Sequence, residues 1–203
     1  MPLDIPDPPK ESLASLNEGL RRLPARNKSA FSTEAAGGET PNISLAHQVF
    51  VLNPQEVMAG KGLDAAKLTS WRYVLNQGGS GPLENSSAAT AEVAYQGGAH
   101  VFSNLQHGWM ANATRQAVDV GLKVQAVRNG VFELRVLRMP AVRVDSVWLK
   151  NKSGAGDIVV PIRSAIEGLS AFQPYGGDDF LFKVREYLEK EEPFDNSPRN
   201  VQR

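Results

Sequence analysis

One long segment in the second half of the chain alternates apolar and polar side chains at the two-residue period of a β-strand. Its residues Phe132, Leu134 and Val136 share one face of such a strand, and Glu133 and Arg135 lie on the other. The segment predicts four short strands in an antiparallel meander, over residues 123–127, 131–138, 141–149 and 158–162. A sheet with one apolar face must bury it, so we expect helices from elsewhere in the chain to cover that face.

Three local features indicate where these strands turn or change face. Asn129–Gly130 favours a tight hairpin, because both residue types accept a positive φ. Pro140 cannot donate a hydrogen bond to a sheet, so it is expected between strands or at an edge. The apolar phase shifts at Asp145–Ser146, which predicts either a β-bulge there or a strand that is buried on both faces.

Patterns in the rest of the chain complete the predicted fold class. Apolar residues at helical spacing predict helices over residues 13–23, 64–75, 100–118, 164–172 and 180–191. Gly108 lies inside the third of these and indicates close packing or a break there. Short apolar runs predict two more strands, at residues 47–52 and 90–95. The fold is therefore expected to be α+β, an antiparallel β-meander of about four to six strands with helices packed on one face.

The 203 residues suffice for one domain with a full core. We expect residues 1–45 to hold a proline-rich arm, a short amphipathic helix and a flexible linker. Residues 46–191 are expected to form a single α+β domain, and residues 192–203 a frayed tail. The amphipathic helix either docks a partner or covers this protein's own core, and the second interpretation is favoured because apolar stripes face cores.

Composition argues against several classes of partner and site. Lysine plus arginine and aspartate plus glutamate both number 22, so the formal net charge is zero and nucleic acid is not an expected partner. The absence of cysteine excludes disulfides, thiolate metal sites and cysteine nucleophiles. No apolar run approaches the roughly 18 residues of a membrane span, and the start of the chain lacks the basic and apolar segments of a secretion signal. We expect a cytoplasmic protein with no membrane partner.

Two glycine-rich segments do not meet the requirements of nucleotide-binding motifs, and no cofactor is predicted. Gly60–Lys61 is followed by Gly62, where a phosphate-binding loop needs serine or threonine. The glycines between residues 78 and 81 do not follow a predicted strand, so they are not a dinucleotide fingerprint.

Gly176-Gly177-Asp178-Asp179-Phe180 is similar to the signature loop of diguanylate cyclases, a resemblance that implies an acidic metal ligand on a β-hairpin. The segment that follows is predicted as a helix, and the upstream acidic motifs of that family are missing from this chain. We therefore predict that Asp178 or Asp179 caps a helix and that no metal is bound.

The candidate catalytic residues are His100 and His107. On the predicted helix, their spacing of seven residues places them on one face. One of them could serve as a general base, or the pair could begin a metal site. Glu92 and Asp119 are within reach in principle, but neither can be assigned as a third ligand. The simpler interpretation is a pair of ordinary helix-surface or boundary histidines, and no metal site is predicted.

The candidate ligand-binding residues are Arg135, Arg138 and Arg143. They lie on the second and third strands of the predicted meander, together with Glu133 and Asp145. Such a group could bind an anionic ligand. The simpler interpretation is cross-strand charge pairing on the solvent face of the sheet.

Four segments between residues 131 and 188 carry a resemblance to other proteins. They are Phe-Glu-Leu-Arg-Val-Leu-Arg-Met-Pro-Ala-Val, Val-Trp-Leu, Ile-Val-Val-Pro-Ile and the closing Phe-Leu-Phe-Lys-Val-Arg. This stretch resembles the end of a group of bacterial proteins without a known activity. The resemblance implies a bacterial cytosolic protein and assigns no site.

No catalytic constellation and no cofactor fingerprint is assembled in the sequence. The first functional hypothesis is therefore a non-catalytic protein-interaction or ligand-binding protein, whose partner is another protein or a second copy of the chain. The alternative is a hydrolase-like small-molecule enzyme that uses a histidine of the 100–107 segment.

Overall fold

The computed structural model describes residues 3–23, 43–76, 88–154 and 156–190, and its centre is a mixed β-sheet. The strands are β1 (Leu3–Asp4), β2 (Ile43–Val51), β3 (Lys67–Asn76), β4 (Ala88–Gln96), β5 (Ala99–His107), β6 (Phe132–Met139), β7 (Val144–Asn151), β8 (Ile158–Arg163) and β9 (Tyr175–Gly176). The helices are α1 (Lys10–Arg22), α2 (Pro54–Met58), α3 (Trp109–Leu122), α4 (Gln125–Asn129) and α5 (Gly177–Lys190). The predicted α+β class is confirmed.

The sheet consists of two antiparallel meanders that meet at a parallel pair of strands. Across the described residues its order is β5-β4-β3-β2-β6-β7-β8-β9. Strands β2 and β6 run parallel and pair along the second half of β6. The short strand β1 also runs parallel to β6 and pairs with its first two residues, on the same edge of β6. The prediction of an antiparallel meander of four to six strands is therefore wrong in size and direction: the sheet has nine strands here and is mixed.

Helices cover both faces of the sheet, not one as predicted. Alternate residues of β3 show this, because Tyr73 packs with Leu16 of α1 while Val74 packs with Ala111 of α3. The β6–β9 half repeats the arrangement, with α5 on the α1 side and α3 continuing across the other side. We call these the α1 face and the α3 face.

The alternation that the sequence shows in β6 is confirmed in the structure. Phe132, Leu134 and Val136 are buried, and the first two pack in one apolar cluster with α3. A 3₁₀ turn over Pro140–Val142 separates β6 from β7, as expected of a proline between strands. Both explanations of the phase shift hold: the β7–β8 register shifts between Asp145 and Ser146, and β7 is buried on both faces.

Two segments form elements other than those predicted. Residues 125–129 form helix α4 and not the first strand and hairpin of the meander. Val124 and Val127 are three apart, which is the spacing of one helical turn and not the two-residue period of a strand face. Residues 67–76 form β3 and not a helix. Residues 70–75 of β3 are buried on both faces, so its apolar residues show no alternation that would distinguish it from a buried helix.

Two more predicted helices are wrong in part or in full. The helix predicted over residues 100–118 is divided at Gly108, whose φ of 115° ends β5 and begins α3. Residues 164–172 form turns, and the Phe172 N–H donates to the Pro161 carbonyl at 2.7 Å. Ile166 and Leu169 of this segment are buried against α5 without helical backbone.

Both terminal helices form close to the predicted residues, but the predicted aspartate cap of the second is wrong. Helix α1 buries Leu16 against the sheet, so it covers this protein's own core, and Ser15 Oγ donates to the His100 carbonyl at 2.7 Å. Helix α5 begins at Gly177 and carries Asp178 and Asp179 in its first turn, inside the helix and not at its cap. Apart from residues 43–45, the predicted linker and the predicted tail lie outside the described residues. None of the described helices is long and apolar enough to cross a membrane.

Candidate functional site

A polar cavity of about 380 Å³ lies on the α3 face of the sheet. Its charged lining residues are Arg72, Glu92, Arg138, Asp145 and Arg163, which come from β3, β4, β6, β7 and β8 in turn. The cavity therefore spans both antiparallel meanders. Its remaining wall is formed by the end of β5 and the start of α3.

The five charged residues form one continuous chain of ion pairs. Arg72 Nη2 donates to Glu92 Oε2 at 3.2 Å, and Arg138 Nη1 donates to Glu92 Oε1 at 3.4 Å. Arg138 also donates through Nε to Asp145 Oδ1 at 3.1 Å, and Arg163 donates to the other oxygen of Asp145. The Ser70 hydroxyl donates to Glu92 as well, at 2.6 Å. Each carboxylate is thus held by two arginines.

The chain of ion pairs has a surplus of positive charge. Three guanidinium groups face two carboxylates, and both carboxylates are nearly buried, with side chains 13% and 4% exposed for Glu92 and Asp145. A group with one uncompensated cation beside a cavity favours an anion as its further partner.

Arg72 is the deepest of the three arginines. Its side chain is 5% exposed, and its Nη1 is buried without a hydrogen-bond partner among the described residues. A buried donor of a charged group that lacks a partner costs about 1–3 kcal/mol or more. A ligand oxygen or a water molecule that reaches Nη1 would remove that cost.

His47 lies beside Arg72 in the neighbouring strand, as its direct cross-strand partner. The ring is fully buried, and neither nitrogen has a hydrogen-bond partner among the described residues. Burial and the nearby Arg72 charge lower the pKa of His47 to about 3, so the imidazole is neutral at pH 7. His47 therefore adds no charge to the cavity.

The cavity wall also includes the N-terminus of α3. Gly108 precedes the helix and has no side chain to accept from the first-turn N–H groups, and the first turn carries no acidic residue. The amino end of a helix presents unpaired N–H donors and a partial positive charge, which favour anions. Trp109 and Met110 of this first turn line the cavity.

The predicted site residues fall into two groups. His107 and Arg138 both line the cavity. The other candidates lie elsewhere: His100 is on β5 against the Tyr95 ring, and Arg135 lies on the α1 face over the rings of Phe50 and Trp148, at 4.6 and 4.8 Å.

Two expectations about these residues need correction. His100 and His107 lie on a strand and not on one face of a helix. Arg143 is exposed in the turn before β7, with a left-handed φ of 53°, so the three candidate arginines do not form one group. Among the described residues, no group of three or more histidine, cysteine, aspartate or glutamate side chains lies close enough together to hold a metal ion.

Arg72 and Arg163 are cavity residues that the sequence patterns do not single out, and Glu92 is named there only as a possible metal ligand. Arg72 lies between Trp71 and Tyr73, in a segment that is predicted as a helix. Glu92 is the one charged residue of the predicted strand at 90–95. A charged residue within an apolar strand is a signal of a buried polar site, but it does not indicate which other residues lie nearby.

Comparison with known proteins found no match to this chain among protein-family models, curated proteins or solved structures.

Proposed function

We propose that this protein is a non-catalytic binding protein for a small anionic molecule, which occupies the cavity on the α3 face. The observation that carries this proposal is Arg72, a nearly buried arginine in the cavity wall with a donor nitrogen that no described residue accepts from. The surplus guanidinium charge supports the same conclusion. The cavity volume lies within the roughly 300–1,000 Å³ of small-molecule sites.

The arginines differ in how available they are to a ligand. Arg163 is 52% exposed at its side chain and Arg138 is 33% exposed, whereas Arg72 is buried. A ligand that enters from solvent would therefore meet Arg163 and Arg138 first. Arg72 would then bind the part of the anion that reaches furthest in.

The arrangement supports binding better than catalysis. Glu92 and Asp145 each accept hydrogen bonds from two arginines, so both carboxylates are occupied as acceptors and poorly placed to take a proton from a substrate. His107 lines the cavity, and this observation favours a hydrolase-like enzyme as the second candidate function.

The proposal is tested by isothermal titration calorimetry with phosphate, pyrophosphate and citrate, at low and at high salt. We expect at least one of these anions to bind with an affinity that falls as salt rises. Arg163→Gln should weaken binding by about tenfold or more, because it removes one charged hydrogen bond to the ligand. Asp145 keeps its bond to Arg138 in this variant, so the fold should be retained.

Arg143→Asn is the matched control, since it removes one positive charge from an exposed turn outside the cavity, and asparagine accepts the left-handed backbone. Equal affinities for the two variants, or no binding of any anion to the wild type, would refute the proposal. Turnover of a phosphate or carboxylate ester that His107→Gln abolishes would support the enzyme instead.

A further inference from the structure

The nature of the anion can be narrowed further, on the assumption that the proposed binding function is correct. Trp109 lines the cavity and is 54% exposed. The other two tryptophans, Trp71 and Trp148, are 5% and 0% exposed and pack within apolar clusters. A large aromatic ring that stays exposed at the wall of a polar cavity is available to stack against a planar ligand.

Trp109 is placed there by backbone geometry. It is the first residue of α3, directly after Gly108, whose positive φ turns the chain from β5 into the helix. The indole therefore lies beside the amino end of α3, where an anion is favoured. The ring site therefore lies in the part of the cavity wall that α3 forms.

Two amide side chains lie on the same wall. Asn104 and Gln106 are exposed, two residues apart on β5, and both line the cavity. Each amide offers a carbonyl acceptor and an NH₂ donor. The edge of a heterocycle carries both kinds of group as well, because ring nitrogens and carbonyl groups accept and amino groups donate. One amide can therefore form two hydrogen bonds with such an edge. Carboxylate or phosphate groups alone would not use the acceptor half of these amides.

We propose that the ligand joins a planar heteroaromatic ring to a phosphate or carboxylate group. The ring stacks on Trp109 and forms hydrogen bonds at its edge with Asn104 and Gln106. The anionic group binds Arg72 and Arg138 at the other side of the cavity. A nucleoside monophosphate and a heterocyclic carboxylic acid are two sources of this shared chemistry.

The test compares ligands that differ in the ring alone. Adenosine monophosphate is titrated against ribose 5-phosphate, which has the phosphate and the sugar without the base. Orotate is titrated against acrylate, which keeps a single conjugated carboxylate without the ring. Calorimetry measures all four with the wild type and with Trp109→Leu, and tryptophan emission is followed for the adenosine monophosphate titration.

In at least one pair, we expect the ring compound to bind the wild type with an affinity at least about tenfold higher than that of the ringless compound. In Trp109→Leu, the two affinities should be similar. The ringless compound should bind both proteins equally. Adenosine monophosphate, if it is the binding probe, should quench an emission component that Trp109→Leu lacks. Which pair shows the effect identifies phosphate or carboxylate as the anionic group.

If ring and ringless compounds bind equally and Trp109→Leu changes neither, the aromatic proposal is overturned while anion binding stands. If none of the four binds, this inference fails, and the phosphate, pyrophosphate and citrate titrations decide separately whether anion binding fails with it. Because Trp109 is exposed, loss of the fold in Trp109→Leu is not expected, and circular dichroism checks it.

Discussion

Arg138 and Asp145 face each other directly across β6 and β7, and Arg138 Nε donates to Asp145 at 3.1 Å. The same guanidinium reaches Glu92 on β4, which belongs to the other meander. Arg138 therefore connects the two halves of the sheet on the α3 face, across the intervening strands β2 and β3. This one side chain contributes both to the cavity and to the association of the meanders.

Arg138→Met should lower the free energy of unfolding by about 1–3 kcal/mol, because two nearly buried carboxylates each lose one charged donor. Urea denaturation followed by circular dichroism measures the loss. Arg143→Asn, the exposed control, should stay within about 0.5 kcal/mol of the wild type. Equal stabilities of the two variants would show that Arg138 is not needed between the meanders.

Gly19→Ala should destabilise the protein by about 1–3 kcal/mol although alanine is the better helix former. A Cβ at Gly19 would lie 2.0 Å from Cγ and 2.5 Å from Cβ of Phe102, so α1 would have to move away from β5. Gly62→Ala is the control, since nothing lies within 4 Å of its Cβ position and its φ is −77°. Thermal unfolding distinguishes them, and a melting temperature for Gly19→Ala at or above that of Gly62→Ala would contradict the prediction.

His47 should make folding sensitive to mild acid. Because its pKa is lowered to about 3 in the folded protein from the usual 6.5, the unfolded chain takes up a proton between these values and the folded protein does not. Stability should therefore fall by about 1.4 kcal/mol per pH unit as the pH drops from about 6 toward 3, and be unaffected by His47 above pH 7.

His47→Leu removes this titration while retaining an apolar side chain in the core. The difference in unfolding free energy between His47→Leu and the wild type should grow in favour of the variant as the pH falls from 7 to 4.5. Denaturation series at four pH values measure it. A difference that stays constant over this range would mean that the ring is protonated without cost in the folded state.

The Ser12–Tyr73 pair should anchor α1 to the sheet. Ser12 Oγ and the Tyr73 hydroxyl lie 2.6 Å apart, both residues are fully buried, and burial raises the pKa of Tyr73 despite the hydrogen bond to Ser12. Tyr73→Phe and Ser12→Ala should each cost about 1 kcal/mol, and the double variant little more than either. Additive losses in this double-mutant cycle would show that the hydroxyls do not depend on each other.

The elements that sequence patterns predict well are those whose environment is simple. Strand β6 alternates because neighbouring residues face different surroundings, and α1 has a single apolar stripe that ends before Pro24. Strand β3 and helix α4 were predicted wrongly for the opposite reason. Residues 70–75 of β3 are buried on both faces, and α4 is so short that Val124 and Val127 give a single turn of helical spacing.

The candidate site was predictable only in fragments. His107 and Arg138 stand out because histidines are few and arginines cluster near β6, yet 31 positions separate them along the chain. Arg135 and Arg138 are three apart, an odd spacing that puts them on opposite faces of a strand. The predicted strand itself therefore implies that Arg135 and Arg138 lie on opposite faces of the sheet.

By itself, the sequence determined the α+β class, the buried face of β6 and the presence of α1, and it marked Gly108 as a position of close packing or of a break. These features depend on side chains within one or two turns of each other and on the backbone that glycine and proline allow. Only the tertiary structure decided the order of the strands, the parallel pairing of β2 with β6, and the cavity. The cavity draws its lining from seven elements between Arg72 and Arg163, and such contacts depend on which strands pair, which no local periodicity encodes.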